Sequence, residues 1–362
     1  MENQQQRILI VTASLRFGGV ERMVQNIANY YQTRGWKVLI ATLLDPEGKV
    51  SVSLNPGIET TFFKNEGQGL SGFKKWAIAP KWISFIRQTM RDFKPNCTLA
   101  MTFKIGALCQ KARHRIPTRL TIRETSDPKS AARSRFSNFL IYHLAKQADS
   151  FIFQTEWEKS CCPKSIQKKG HVVFNPVIVD FEASKVTRPV IVTMGRLLNF
   201  QKRHDVLIRA FAIFVQNHPE YRLEIYGDGP DKTADQELIA QCHVEGKVAL
   251  IPATKDVHQK IAGASLFVLS SDFEGMSNAL LEAFLAGIPT ISTDWPGVNE
   301  IISSGTNGLL APRDDPKALA DAMSLLVDDK EKAQRFSEAA KKERWKFGFD
   351  RNIALYAKAI EG

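Results

Sequence analysis

Residues 271–289 read Ser-Asp-Phe-Glu-Gly-Met-Ser-Asn-Ala-Leu-Leu-Glu-Ala-Phe-Leu-Ala-Gly-Ile-Pro. The six residues at 264–269, Ala-Ser-Leu-Phe-Val-Leu, carry no charge and predict a buried strand. Residues 278–286 predict a short helix, with Ser277 or Asn278 as its N-cap and Gly287 followed by Pro289 as its stop. Strand, loop and helix start therefore follow one another. Such a helix start leaves N–H groups unpaired and carries a partial positive charge, which suits a phosphate.

Two carboxylates stand in this stretch. Glu274 lies in the loop beside Gly275, and Glu282 lies eight positions on among Ala, Leu and Phe. On one continuous helix they would stand roughly 80° apart, at about 100° per residue. If Glu274 precedes the cap, both border one pocket above the helix start. A carboxylate among apolar side chains is costly to bury unless something bonds it. Sugar hydroxyls would serve, and so would a lysine at the helix edge; the spacing leaves both readings open.

Glu, seven residues, Glu, in the form E-G-M-S-N-A-L-L-E-A-F-L-A-G-I-P, resembles the signature of retaining GT-B glycosyltransferases of glycosyltransferase family 4. The likeness continues through Pro-Thr-Ile-Ser-Thr-Asp at 289–294. It is strengthened by two motifs upstream, G-R-x5-K at 195–202 and G-D-G-P at 227–230, in family order and at about family spacing. The resemblance implies an α/β fold of two Rossmann-like β/α/β domains facing across a cleft, with a C-terminal helix crossing back to the first. It also implies roles. Arg196 and Lys202 hold the donor diphosphate, Glu282 the ribose, and Glu274 the donor sugar. Gly195, Asp228, Gly229, Gly275, Met276, Ser277 and Asn278 complete the donor site.

The opening of the chain agrees with such a fold. Residues 7–13 predict a strand, 21–34 a helix and 37–42 a second strand, which is a βαβ start. Gly18-Gly19 sits in the first strand-to-helix turn. It is not G-x-G-x-x-G, so no dinucleotide site is read from it. By resemblance, Gly18 and Gly19 face the donor diphosphate or the acceptor. Residues 119–123 predict a strand that places Arg123, Glu124 and Asp127 at its carboxyl edge, where ligands bind in open α/β sheets. Many family members have a histidine near this point; here the next one along the chain is His143. We take the three as acceptor or sugar contacts. Further strands are predicted at 151–154, 172–178, 190–194, 222–226 and 247–251, and amphipathic helices at 204–216, 316–327, 330–345 and 352–361. The expected domains are 1–185, 186–344 and a returning helix at 345–362.

With 362 residues and 44% hydrophobic content, the chain suits two globular domains. No apolar run reaches the ~20 residues of a membrane helix, and no signal peptide is read at the start. Five cysteines with no C-x-x-C pair predict a reduced, cytoplasmic chain. The net charge of +11 is concentrated: residues 1–185 hold 28 Lys+Arg against 14 Asp+Glu. Basic, aromatic-rich stretches at 69–91 and 129–146 fit either surface helices or helices lying on an anionic membrane. No signature of a nucleic-acid-binding module accompanies them.

The expected function is therefore transfer of a sugar, with retention, from a nucleotide-diphosphate donor. The donor is expected to be a UDP-sugar, with an N-acetylhexosamine the favoured sugar. The expected acceptor is a lipid-diphosphate-linked saccharide at the inner face of the plasma membrane, in cell-surface polysaccharide assembly. The chain has no Asp-x-Asp pair, so no metal and no cofactor are expected. The competing readings are a non-catalytic GT-B partner protein that binds glycan or protein, and a nucleotide-sugar epimerase.

Overall fold

The structure is a computed structural model and describes residues 5–16, 18–45, 48–64, 78–125, 135–185, 187–254 and 256–362. Asp127, residues 69–77 of the 69–91 stretch and residues 129–134 of the 129–146 stretch lie outside the described residues. The chain forms two compact units: residues 1–176 with 350–362, and residues 177–349.

The first unit is built on a seven-stranded sheet. Its strands are β1 (Arg7–Thr12), β2 (Lys37–Thr42), β3 (Glu59–Phe62), β4 (Cys97–Ala100), β5 (Arg119–Arg123), β6 (Ser150–Phe153) and β7 (Gly170–Val172). They lie in the order β3-β2-β1-β4-β5-β6-β7, every pair parallel. The second unit repeats the plan with β8 (Arg188–Met194), β9 (Arg222–Tyr226), β10 (Val248–Ile251), β11 (Ala264–Leu269), β12 (Thr290–Thr293) and β13 (Leu309–Ala311). Their order is β10-β9-β8-β11-β12-β13, again all parallel. The central strands are buried throughout, as in Leu-Phe-Val-Leu of β11, because helices cover both faces. In each sheet the strand order reverses between the first and fourth strands, β1/β4 and β8/β11. The crevice beyond the carboxyl ends of those strands is where such folds bind ligands.

Two boundaries differ from the sequence expectation. The first unit ends at Pro176, not 185. The segment after it is pinned to the second unit: Ala183 N–H donates to Ala286 O at 2.9 Å and Ser184 N–H to Ala262 O at 2.7 Å. The returning segment starts at 350, not 345. Arg344 and Lys346 still bond the second unit, donating to Leu285 O and Glu300 O. The final helix, Phe349–Glu361, buries Ile353, Tyr356, Ala357 and Ile360. Its partners are in the first sheet, where Arg123 Nε donates to Tyr356 Oη at 2.8 Å. In place of the strand predicted at 172–178 a strand ends at Val172, and β3, β4, β12 and β13 are strands that the pattern did not announce.

Candidate active site

The site grows from the switch point of the second sheet. β8 ends at Met194 and runs into Gly195–Lys202, while its neighbour β11 ends at Leu269 and runs into Ser270–Ser277. Asp272 N–H donates to Gln201 O at 2.8 Å, tying one loop to the other. The β9 loop closes against the first so tightly that side chains are excluded. A Cβ on Gly227 would stand 1.8 Å from Gly195 O, and one on Gly229 2.1 Å from Leu197 O. Leu197 N–H donates to Asp228 O at 3.0 Å. The glycines of the G-D-G-P motif thus shape the loop before any ligand arrives. The Asp228 carboxylate accepts from Ala253 N–H at 3.1 Å and faces Lys232 at 3.9 Å.

The helix Asn278–Ala286 starts as its sequence predicts. Ser277 Oγ accepts from Leu280 N–H at 3.3 Å, and Gly287 ends the helix at φ 87, a left-handed backbone that glycine adopts without strain. Gly275, Met276 and Ser277 are buried.

Each carboxylate has its own set of partners. Glu274 is 7% exposed. Its Oε1 meets Lys202 Nζ at 2.5 Å and accepts from Ser271 Oγ at 2.7 Å; its Oε2 accepts from Gln201 Nε2 at 3.3 Å. Glu282 is 2% exposed. Its Oε2 meets His258 Nε2 at 3.0 Å, and His258 Nδ1 meets Asp180 Oδ1 at 3.0 Å. The His258 ring stacks on Phe181, with centroids 4.7 Å apart. Glu282 is therefore held by an imidazole. Arg196 is exposed and forms no ion pair with any described residue. His204, two residues beyond Lys202, is pushed down to about 4 by burial and then by the Lys202 charge, so it stays neutral. Phe200 is 58% exposed at this rim, edge-on to Phe273.

Lys202, Glu274, Gly195 and Arg196 thus share two neighbouring loops, and Glu282 lies on the helix that leaves them. The sequence reading missed Gln201, Ser271, His258 and Asp180. Gln201 and Ser271 lie inside the motifs and were legible; His258 and Asp180 carry no local signal.

The first-unit candidates are placed differently. Glu21 folds over Gly18, where a Cβ would meet its Oε2 at 2.3 Å, and accepts from Ser14 Oγ at 3.0 Å. Gly19 opens the helix Gly19–Thr33. Arg123, read as a ligand contact, points into the interior instead. It is 2% exposed and donates to Tyr356 Oη, Gln154 Oε1 and Asn175 Oδ1. Glu124 is fully buried. The final helix covers the edge that the sequence pattern left open.

Two family descriptions match the chain. "Glycosyltransferase Family 4" matches residues 17–181 and "Glycosyl transferases group 1" matches residues 176–343, one on each unit. The chain belongs to glycosyltransferase family 4. An exopolysaccharide phosphotransferase of Streptomyces coelicolor is 28% identical over 325 residues, covering 87% of this chain and 34% of that protein. A Campylobacter jejuni N-acetylgalactosamine-N,N'-diacetylbacillosaminyl-diphospho-undecaprenol 4-alpha-N-acetylgalactosaminyltransferase is 26% identical over 239 residues, covering 62% and 64%. The chain thus spans about a third of the first relative's length and under two thirds of the second's. Anabaena HepE, solved with UDP and glucose, superposes with a TM-score of 0.80 at 18% identity, over 98% of this chain and 99% of that one. That likeness is one of fold, and it establishes the GT-B plan of two Rossmann-like units in this family 4 chain.

Proposed function

We propose that this family 4 chain transfers a sugar, with retention, from a nucleoside-diphosphate sugar to a lipid-linked saccharide. The observation that carries the reading is the Lys202–Glu274 pair, set where the second sheet reverses its strand order and beside a capped helix start. Breaking the bond between the anomeric carbon and the diphosphate leaves negative charge on the departing oxygens. Arg196, Lys202 and the helix start supply the compensating charge, and such preorganised electrostatics is the main catalytic term. The Lys202 ammonium has three donors and directs one to Glu274, leaving two for phosphate oxygens. Glu274, buried and threefold bonded, is a fixed acceptor for a sugar hydroxyl. In a retaining reaction the leaving phosphate takes the acceptor proton, so no separate base is required. With two protein cations on the diphosphate, the reaction proceeds without a metal.

UDP is our preferred nucleotide because HepE was solved with it, and N-acetylhexosamine our preferred sugar because the Campylobacter relative is named for one. That relative's diphospho-undecaprenol acceptor supports a lipid-diphosphate acceptor here. Two features support contact with an anionic membrane surface, which we place on the cytoplasmic side. One is the excess of basic residues in the first half of the chain. The other is a cavity of about 590 Å³ in the first unit, lined by Arg87, Lys111, Arg113, His114, Arg115 and His143 with no carboxylate among its lining residues. Among the described residues no helix is long and apolar enough to cross a membrane.

The test is a thermal-shift panel of nucleotides and nucleotide-sugars, with and without EDTA, on wild type and Glu282→Ala. A ligand at 100 times its Kd adds about 2.7 kcal/mol to the folded state. We expect a shift with one diphosphate family, indifferent to EDTA and lost in Glu282→Ala. No shift with any nucleotide would overturn the donor reading and favour a non-catalytic partner protein. Isomerisation of the donor incubated alone would favour an epimerase.

A further inference from the structure

His258 stands between two carboxylates, and both of its ring nitrogens face one. Nε2 lies 3.0 Å from Glu282 Oε2 and Nδ1 lies 3.0 Å from Asp180 Oδ1. A neutral imidazole has one N–H and therefore one bond to donate. Two ionised carboxylates at hydrogen-bond distance require a second proton in the cluster. The cluster is built to keep it. Glu282 is 2% exposed, and a buried carboxylate stripped of a charged partner at hydrogen-bond distance is strongly destabilising. The imidazole plane is fixed by the Phe181 ring stacked against it at 4.7 Å and 16°. The other charged groups close by in sequence are Asp256 and Lys260, which pair with each other at 3.5 Å on the helix that bears His258. Residue 255 lies outside the described residues. Asp180 and Phe181 belong to the segment by which the chain enters the second unit, and Glu282 to the helix at the donor site.

We propose that His258 is a positioning residue: protonated, it clasps Glu282 to Asp180 and so sets the rotamer and charge with which Glu282 grips the donor ribose. The proposal rests on the donor reading above. Loss of the shared proton leaves one of the two carboxylates facing a ring lone pair, and Glu282 loses its fixed orientation. Donor affinity then falls as pH rises, while the transfer step, which runs through Lys202 and Glu274, is untouched. The device makes donor capture, and not turnover, the pH-sensitive step of this chain.

The test compares wild type, His258→Gln and Asp180→Asn on the full chain, using UDP or whichever nucleoside diphosphate gives the largest thermal shift. Its Kd is measured from pH 5.5 to 9. In wild type, Kd should be flat at low pH and rise about tenfold on the alkaline side, the scale of one hydrogen bond to a charged group. In His258→Gln, Kd should be about tenfold weaker throughout and lack the inflection, with kcat at saturating donor within about threefold of wild type. Asp180 is exposed, so Asp180→Asn keeps the fold, and it should move the inflection to lower pH. Wild-type affinity with an unchanged pH profile in His258→Gln, or a loss confined to kcat, would overturn the proposal. An NMR titration of the His258 ring, without nucleotide, separates the clasp from the donor reading. If the ring loses its proton at or below the ordinary value near 6.5, the clasp itself is wrong. If the ring holds its proton well above that value and releases it in Glu282→Gln, yet no nucleotide binds wild type, the donor reading fails and His258's role fails with it.

Discussion

The two units present the same topological edge and use it in opposite ways. Beyond the carboxyl ends of the second sheet, Glu274 and Glu282 are bonded to Lys202 and His258, with Arg196 exposed beside them and in no ion pair among the described residues. Beyond the carboxyl end of β5 in the first sheet, Arg123, Glu124 and Glu158 are sealed inside. There the guanidinium holds Gln154, Asn175 and the Tyr356 hydroxyl of the chain's own last helix. One edge keeps its charges within reach of a ligand; the other has filled its ligand position with protein. The same fold thus yields a site or an anchor, depending on what covers the strand ends.

Variants sharpen or break that contrast. The largest effect is expected for Arg123→Ala. It leaves the buried oxygens of Gln154, Asn175 and Tyr356 without the guanidinium that donates to them, and should lower stability by about 4 kcal/mol. Turnover by the folded fraction should be unchanged. A melting curve beside an activity assay checks it, and normal stability with lost turnover would make the first edge a site after all. Next is Lys202→Met, expected to lower kcat about a hundredfold, or about 3 kcal/mol, through loss of the positive charge proposed to offset the leaving diphosphate. If Lys202→Met cost only melting temperature, the second edge would be the anchor.

Tyr356→Phe removes one bond to Arg123 and should cost about 1 kcal/mol, or roughly 2–4 °C in Tm. A subtler change follows from Glu158, pushed up to about 8 by burial and then by the Glu124 charge. Its folded value lies above the ordinary 4.5, so its protonated form favours the fold. That contribution is present below pH 4.5 and is lost as pH rises through about 8. Glu158→Gln, whose amide stays neutral, should flatten the dependence of Tm on pH across that window. The smallest effect on the isolated enzyme is expected for Lys111→Ala/His114→Ala/Arg115→Ala together. Nucleotide affinity should be unchanged, while binding to vesicles rich in anionic lipid should weaken.

Much of the second unit was legible because its signals are local. The strand β11, the cap at Ser277, the stop at Gly287 and the glycines at 195, 227 and 229 each act within a few residues. The family likeness supplied Lys202 and Glu274, but not the bond that joins them across 72 positions. The His258 clasp was invisible for the same reason: its members lie 78 and 24 residues apart. Strands β3, β4, β12 and β13 are three or four residues long, too short for a period to show. Arg123 misled because a strand end in sequence says nothing of what lies over it. Its cover comes from Tyr356, 233 positions away.

That distance also has a consequence in time. The first unit needs residues 350–362, and residues 177–349 are made in between. At about 5–20 residues per second of synthesis, the first sheet waits roughly 10–35 s for its last helix. Throughout that interval the Arg123 cluster lacks the Tyr356 hydroxyl, and the surface later covered by Ile353, Ala357 and Ile360 stands open to water. The second unit, continuous in sequence, has no such wait. The half of the molecule that is translated first is therefore the half that finishes folding last.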